Sequence, residues 1–166
     1  MEIKEIVNQI VAAKSKCGGI KEVYFVACGG SLGALYPAKV FLETEAVNVR
    51  VGWYNSNEFL HNTPKAFGEN SVLVLTSHRG NTPETVKAAE LGKKSGVPVI
   101  ALTYVENSPI SQFGDYMLSY SFGDEKDVAQ EKTMQVLSIA VEILNQLRAT
   151  KNIASFVMAS IKLMEL

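Results

Sequence analysis

Side chains able to bind a small charged molecule are concentrated in one short stretch of the sequence, residues 76–85. Within it, residues 77–82 carry two hydroxyls, an imidazole, a guanidinium and an amide, on Ser77, Thr82, His78, Arg79 and Asn81. Thr82 followed by Pro83 is typical of a helix start, because the first helical position needs no N–H. Such a helix end offers free backbone N–H groups and a partial positive charge. The stretch therefore predicts an anion site, with phosphate as the natural ligand, and Gly80 is expected to let the backbone approach that ligand.

Serine, asparagine, glycine and proline are also common turn formers, so this stretch alone leaves a plain turn as the alternative. A second segment of similar composition, Gly29-Gly30-Ser31, is predicted to form the loop after the apolar run 23–28. In a parallel sheet of order 2-1-3-4-5, the strands before these two segments are neighbours and flank the switch point where ligands bind. We therefore expect Ser31 to converge with the hydroxyls and the guanidinium of the later stretch.

The predicted elements alternate between strand and helix along the chain. Apolar runs predict five strands, at residues 23–28, 47–53, 72–75, 97–103 and 116–120, the last as an edge strand. Apolar periodicity predicts helices at 3–14, 32–43, 84–95, 128–147 and 153–166. The alternation indicates an α/β fold, a five-stranded parallel doubly wound sheet of flavodoxin-like order 2-1-3-4-5. The expected division is an N-terminal helix over 1–19, the sheet domain over 20–150 and a C-terminal helical segment over 151–166.

The loops do not carry the common cofactor motifs. The segment 29–33 does not fit G-x-G-x-x-G, and no acidic residue closes the second strand to hold a ribose. The lysine of a Walker loop is missing, and a flavin at the switch point would lack an evident aromatic clamp. Two cysteines and two histidines, far apart in the sequence, do not indicate a metal centre. The sequence therefore predicts neither a cofactor nor a metal.

The composition of the chain argues against nucleic acid and membranes as partners. The 166 residues are 47% hydrophobic and carry a net charge of −1, which gives no reason to expect nucleic acid or an anionic membrane surface. No apolar run approaches the roughly 20 residues that span a bilayer, and early charges argue against a signal peptide. Cys17 and Cys28 do not form a disulfide framework. We expect one globular domain in a reducing cytoplasm.

The glycine and hydroxyl segments together resemble a known family. Residues 28–31 (C-G-G-S) with residues 77–85 (S-H-R-G-N-T-P-E-T) are similar to a sugar isomerase (SIS) domain. Residues 54–59, 122–124 and 129–133 extend the likeness to the first half of bacterial deglycases of phosphorylated Amadori products. Those enzymes split fructose-amino-acid 6-phosphates into glucose 6-phosphate and the amino acid. The resemblance implies a sugar phosphate as ligand.

The resemblance also implies roles for individual residues. The phosphate would be held by backbone amides and hydroxyls of Gly30, Ser31, Ser77, Asn81 and Thr82. His78 would line the pocket beside the phosphate or the sugar. Arg79 would bind either the phosphate or a carboxylate of the amino-acid moiety. Val128 to Lys132 would touch the sugar, although a solvated helix position is an equal alternative for Lys132.

Such deglycases and the related isomerases carry two SIS halves, whereas this chain resembles only the first. The family's catalytic glutamate and histidine lie in the second half. Their pseudo-symmetric counterparts here are Glu58 and His61, which would share one face of a short helix starting near Asn55 or Ser56. The alternative is a structural Glu58 and an incidental surface His61. We therefore expect either a deglycase or isomerase, with a homodimer or higher oligomer replacing the two-half arrangement, or a non-catalytic sugar-phosphate-binding module.

Overall fold

The computed structural model describes the backbone of residues 1–121 and 125–164, and the side chains of residues 1–121, 130–152 and 158. Its centre is a five-stranded, all-parallel sheet of order β2-β1-β3-β4-β5. The strands are β1 (Glu22–Ala27), β2 (Arg50–Asn55), β3 (Ser71–Thr76), β4 (Val99–Thr103) and β5 (Tyr116–Ser119). The helices are α1 (Ile3–Lys14), α2 (Gly29–Glu45), α3 (Ser56–His61), α4 (Pro83–Lys94) and α5 (Glu125–Met164). Short 3-10 turns cover Ser15–Cys17 and Pro109–Gln112. The predicted fold class and strand order are confirmed.

Helices cover both faces of the sheet, which explains why the central strands are continuous apolar runs. All six residues of β3 and all five of β4 are buried. One core cluster joins the sheet to α1, α2 and α5, and the other joins it to α3 and α4. β5 alternates between half-buried and exposed residues, as expected of the edge strand.

Two helices differ from the prediction. α2 begins at Gly29, directly after β1, so Gly29-Gly30-Ser31 form its first turn and not a loop. Gly29 has φ +56°, a left-handed conformation that lets the chain turn sharply from strand to helix at a residue without a Cβ. α5 is one helix from Glu125 to Met164, whereas the sequence predicted separate helices over 128–147 and 153–166. The segment from residue 151 thus continues the helix that packs on the sheet domain.

Candidate functional site

Strand register sets the position of the site. Ala27 at the end of β1 is level with Asn55 at the end of β2 and with Thr76 at the end of β3. The segments that follow these three strands therefore leave the sheet side by side at its carboxyl edge. α2 begins on one face of the sheet and α4 on the other, which makes the β1–β3 boundary the switch point predicted from the sequence.

The loop between β3 and α4 presents two hydroxyls as a pair. Ser77 is only 2% exposed, and its Oγ lies 3.0 Å from Thr82 Oγ1. Thr82 occupies the predicted N-cap position and Pro83 the first turn, but the Thr82 hydroxyl does not cap a helix amide. Because the first N–H groups of a helix have no partner within it, the start of α4 retains donors for a ligand. The loop therefore places two hydroxyls beside the start of a helix, the set of donors that the sequence analysis expected for an anion.

The structure gives Gly80 a packing role that was not predicted from the sequence. Gly80 has φ +67° and is buried, and a Cβ at this position would lie 2.1 Å from Ser108 Oγ and 3.1 Å from Ile110 Cγ2. Its carbonyl accepts a hydrogen bond from the Ile110 N–H at 2.9 Å. Glycine is required here by the left-handed backbone and by packing against the segment after β4.

A buried lysine completes the opposite side of the site. Lys132 is 6% exposed, and its Nζ donates to Ser31 Oγ at 3.2 Å. The same ammonium lies 5.6 Å from the centre of the Tyr120 ring. Burial lowers the pKa of Lys132. The contact brings α5 onto the first turn of α2, so Lys132 is buried beside Ser31 and is not the solvated helix position that was its alternative.

His78 is held between two tyrosines that the sequence analysis missed. Its Nδ1 lies 3.2 Å from the Tyr120 hydroxyl, and its ring centre lies 4.4 Å from that of Tyr104. The His78 carbonyl accepts from Thr103 Oγ1 at 3.0 Å, which fixes the loop to the end of β4. Burial raises the pKa of Tyr120 to about 12, so this hydroxyl remains protonated at neutral pH. Both tyrosines follow strands at the carboxyl edge, and that position is the signal that could have identified them.

The other residues predicted for the site are more open. Gly30, Arg79 and Asn81 are exposed. Within the described part of the chain, the Arg79 guanidinium makes no hydrogen bond or ion pair. Val128 belongs to α5, and its side chain lies outside the described residues.

The proposed catalytic pair lies on α3. Glu58 is in its first turn and His61 in its last, and both side chains are exposed. Neither makes a side-chain hydrogen bond or ion pair to any described residue. The helix itself is well anchored, because Ser56 Oγ lies 2.9 Å from Thr85 Oγ1 in the first turn of α4 and both residues are fully buried. α3 is thereby fixed to the first turn of α4.

The described residues contain no group of three or more His, Cys, Asp or Glu side chains placed to hold a metal ion. Among the same residues, no helix has the length and apolar character needed to cross a membrane.

Comparison with known proteins identifies the family. The sequence matches the SIS domain over residues 19–157, most of the chain. The chain belongs to the SIS domain family. This SIS domain is 43% identical to the fructosamine deglycase FrlB of Bacillus subtilis strain 168 over 106 residues, 64% of the chain and 32% of the relative. It is 34% identical to the fructoselysine 6-phosphate deglycase of Escherichia coli K12 over 101 residues, 61% of the chain and 29% of the relative.

A solved structure extends the comparison to the backbone. A candidate phosphosugar isomerase from Salmonella typhimurium LT2 superposes with a TM-score of 0.77 at 40% identity, covering 88% of this chain and 44% of that one. The SIS domain thus spans about a third of the length of the deglycase relatives and under half of this structural neighbour.

Proposed function

We propose that this SIS domain binds a sugar 6-phosphate at the carboxyl edge of its sheet. The observation that carries the proposal is that α2 and α4 begin after neighbouring strands at the same edge of the sheet, where Thr85 Oγ1 of α4 lies 3.8 Å from Cys28 Sγ just before α2. The buried ammonium of Lys132 lies at the start of α2. Ser31, Ser77 and Thr82 add hydroxyls beside them. Gly30 and Asn81 contribute backbone and side-chain donors at the open side. His78, with its two tyrosines, forms the wall against which the sugar lies.

The proposed reaction is that of a deglycase or isomerase acting on fructose-amino-acid 6-phosphates or related ketose and aldose 6-phosphates. The names of the two bacterial relatives support this substrate class. The chemistry is removal of a proton next to the sugar carbonyl or imine and its return to the neighbouring carbon. In the deglycase reaction, water then hydrolyses the resulting imine, which releases the amine and leaves the aldose 6-phosphate. We assign the proton transfer to Glu58 and His61, which lie three residues apart on α3. Val128 lies at the α5 end nearest the sugar in this proposal.

The second candidate is a non-catalytic sugar-phosphate-binding module, or one half of a two-SIS enzyme. It is favoured by one observation: both side chains of the proposed pair are exposed and have no partner among the described residues. A catalytic acid–base pair is usually held by neighbouring groups that tune its protonation. In this second proposal, Glu58 and His61 are surface residues and the chain only binds.

Assembly is part of the proposal. We infer a homodimer, because α5 carries exposed apolar side chains beyond what a solvent-facing helix needs. Met134 is 54% exposed, and Val141 and Met158 are also exposed on this helix. The side chains of Ile161, Leu163, Met164 and Leu166, which the sequence analysis would add to this surface, lie outside the described ones. A location in the cytoplasm, without nucleic acid as a partner, remains the expectation from the sequence.

Binding and turnover are tested separately. Titration calorimetry with glucose 6-phosphate, fructose 6-phosphate, glucose and inorganic phosphate should show tight binding of the sugar phosphates and weak binding of glucose. Equal affinity for glucose and glucose 6-phosphate would contradict the site. Release of glucose 6-phosphate from fructoselysine 6-phosphate is then followed for the wild type, Glu58→Gln and the control Glu69→Gln, whose exposed carboxylate lies at the opposite edge of the sheet.

Each result selects one candidate. Turnover that is lost in Glu58→Gln and kept in Glu69→Gln supports the enzyme with this acid–base residue. Turnover that survives in both variants excludes Glu58 from the chemistry. Binding of glucose 6-phosphate without any turnover supports the binding module.

A further inference from the structure

Three small polar side chains connect the starts of three helices beneath the carboxyl edge of the sheet. Ser56 Oγ of α3 lies 2.9 Å from Thr85 Oγ1 of α4, and Thr85 Oγ1 donates at 3.8 Å to Cys28 Sγ, just before α2. Because a hydroxyl carries one proton, Thr85 accepts its other hydrogen bond, from Ser56. Ser56 and Thr85 are fully buried, so they lie behind the surface that a ligand would contact.

The position of α3 depends on the hydrogen bond between Ser56 and Thr85. α3 has six residues, too few to form a stable helix by themselves. Phe59 anchors it through the rings of Tyr24 and Phe67, whose centres lie 5.9 and 5.1 Å from its own. Ring contacts are less directional than hydrogen bonds. Among the described residues, the bond of Ser56 to Thr85 is the only hydrogen bond that joins α3 to another helix or strand.

The opposite end of this link reaches the proposed anion site. Thr85 is the third residue of α4, which follows the loop that carries Ser77 and Thr82. The first N–H groups of a helix have no partner within it, so an anion bound there acts on the first turn directly. A buried hydroxyl is costly unless it is hydrogen-bonded, and apolar side chains of the same shape would fill this space without that cost. The hydroxyls therefore add a directed link between α4 and α3.

We propose that Thr85 is a positioning residue that fixes α3 to the first turn of α4, so that an anion bound at this turn also acts on the position of α3. The anion contacts α4, the Thr85 side chain carries the effect through the core, and α3 responds without touching the ligand. The side chains that α3 presents, Glu58 and His61, move with it. This inference rests on the proposed sugar-phosphate site, but it does not require Glu58 and His61 to be catalytic.

The chain has two histidines, and they report on the two ends of the link. His78 lies in the β3–α4 loop at the proposed site, and His61 lies in the last turn of α3. Histidine-labelled protein is titrated with glucose 6-phosphate, and the imidazole signals are followed by NMR. At about pH 8 histidines are ordinarily neutral, so a shift reports a change of surroundings and not of protonation. His61→Gln assigns the two signals, and in the wild type both should shift at the same ligand concentrations.

Ser56→Ala and Thr85→Val each remove the link and keep the apolar shape of the core. In both variants the His78 signal should still shift at similar ligand concentrations, because neither hydroxyl contacts the ligand. The ligand-induced shift of His61 should be lost. Thr85→Ser keeps the hydroxyl and should therefore retain the His61 shift. Either of the first two variants is sufficient, so the test stands if one of them does not fold.

The matched control is Thr63→Val. The Thr63 hydroxyl donates to the Phe59 carbonyl at 2.7 Å, so its bond lies at the opposite end of α3 and does not involve α4. This variant should keep both ligand-induced shifts. Loss of the His61 shift in this control would show that any weakening of α3 has the same effect, and it would overturn the positioning role of Thr85.

Two further results would overturn the inference. A His61 signal that does not respond in the wild type, while that of His78 does, would show that α3 is independent of the site. A His61 shift that persists in both Ser56→Ala and Thr85→Val would show that α3 responds by another route. If neither signal moves in the wild type, glucose 6-phosphate does not bind at this site, and the proposed function fails together with the inference.

Discussion

Ser77 Oγ and Thr82 Oγ1 lie 3.0 Å apart across the loop that joins β3 to α4. Each hydroxyl can donate to the other or to a phosphate oxygen. Ser77→Ala and Thr82→Val should each weaken glucose 6-phosphate binding by about 1–3 kcal/mol, as expected for hydrogen bonds to a charged group. Calorimetric dissociation constants provide the measurement.

The control for this prediction is Ser95→Ala, at the opposite end of α4. Because the Thr82 hydroxyl does not cap a helix amide, Thr82→Val should leave the helical circular dichroism signal unchanged. Since the two hydroxyls are in contact, the double variant should lose less than the two single variants combined. Fully additive losses would show that the pair does not act as a unit.

The Tyr24 hydroxyl is buried without a hydrogen-bond partner among the described residues, between the rings of Phe59 and Phe67. Burial raises the pKa of Tyr24 from 10.0 to about 12. The unfolded chain therefore loses this proton near pH 10 while the folded chain retains it, so stability falls as pH rises from about 10 to 12. The shift corresponds to about 3 kcal/mol in the free energy of unfolding.

Tyr24→Phe should remove the part of the loss of stability at alkaline pH that comes from ionisation of Tyr24. At pH 8 it should be as stable as the wild type or more so, because no hydrogen bond is lost. Urea unfolding at pH 8 and at several values up to 12 measures both effects. Tyr120→Phe provides a comparison, since its buried hydroxyl also has a raised pKa but contacts His78. An identical alkaline slope in Tyr24→Phe and the wild type would contradict the prediction.

Gly80→Ala should destabilise the chain. The new Cβ meets the Ser108 side chain, and alanine is strained at φ +67°. Together, overpacking and backbone strain are expected to cost about 2–5 kcal/mol. Adding Ser108→Gly should recover the steric part only, leaving the cost of the left-handed backbone. Gly68→Ala, at a position with open space and no positive φ, is the control for replacing a glycine.

A dimer that uses α5 should respond to charge on its exposed apolar side chains. Val141→Lys places a lysine beside Met134 and Ile3, on the face of α5 that meets α1. If this surface is the interface, sedimentation velocity should show a concentration-dependent dimer for the wild type and a monomer for the variant. Met117→Lys, on the exposed face of the edge strand, should leave the dimer intact. A wild type that stays monomeric at every concentration would rule out the proposed assembly.

The parallel doubly wound fold could be predicted because strands and helices alternate along the chain, and in the order 2-1-3-4-5 the two chemically similar segments follow neighbouring strands. The start of α2 could not be predicted, because the glycines that suggested a loop also allow a helix to begin directly after the strand. The left-handed backbone of Gly29 makes this sharp turn possible. The role of Gly80 depends on Ser108, and a contact between distant segments has no local signature. The same holds for Lys132 and Ser31, which are 101 residues apart in the sequence.

The all-parallel register also determines how this chain can fold. No two neighbouring strands are joined by a tight hairpin, and the central pair, β1 with β3, brings together residues 49 positions apart. The chain must therefore lose the entropy of closing a long loop before strand pairing can stabilise it, and this makes parallel sheets slow to form. The helices, whose contacts are local, can form first and leave the strand edges open. The refolding rate should fall as the chain concentration rises, because the open strand edges of different chains can associate. A ligand that binds only the fully formed carboxyl edge of the sheet should lower the unfolding rate more than it raises the folding rate.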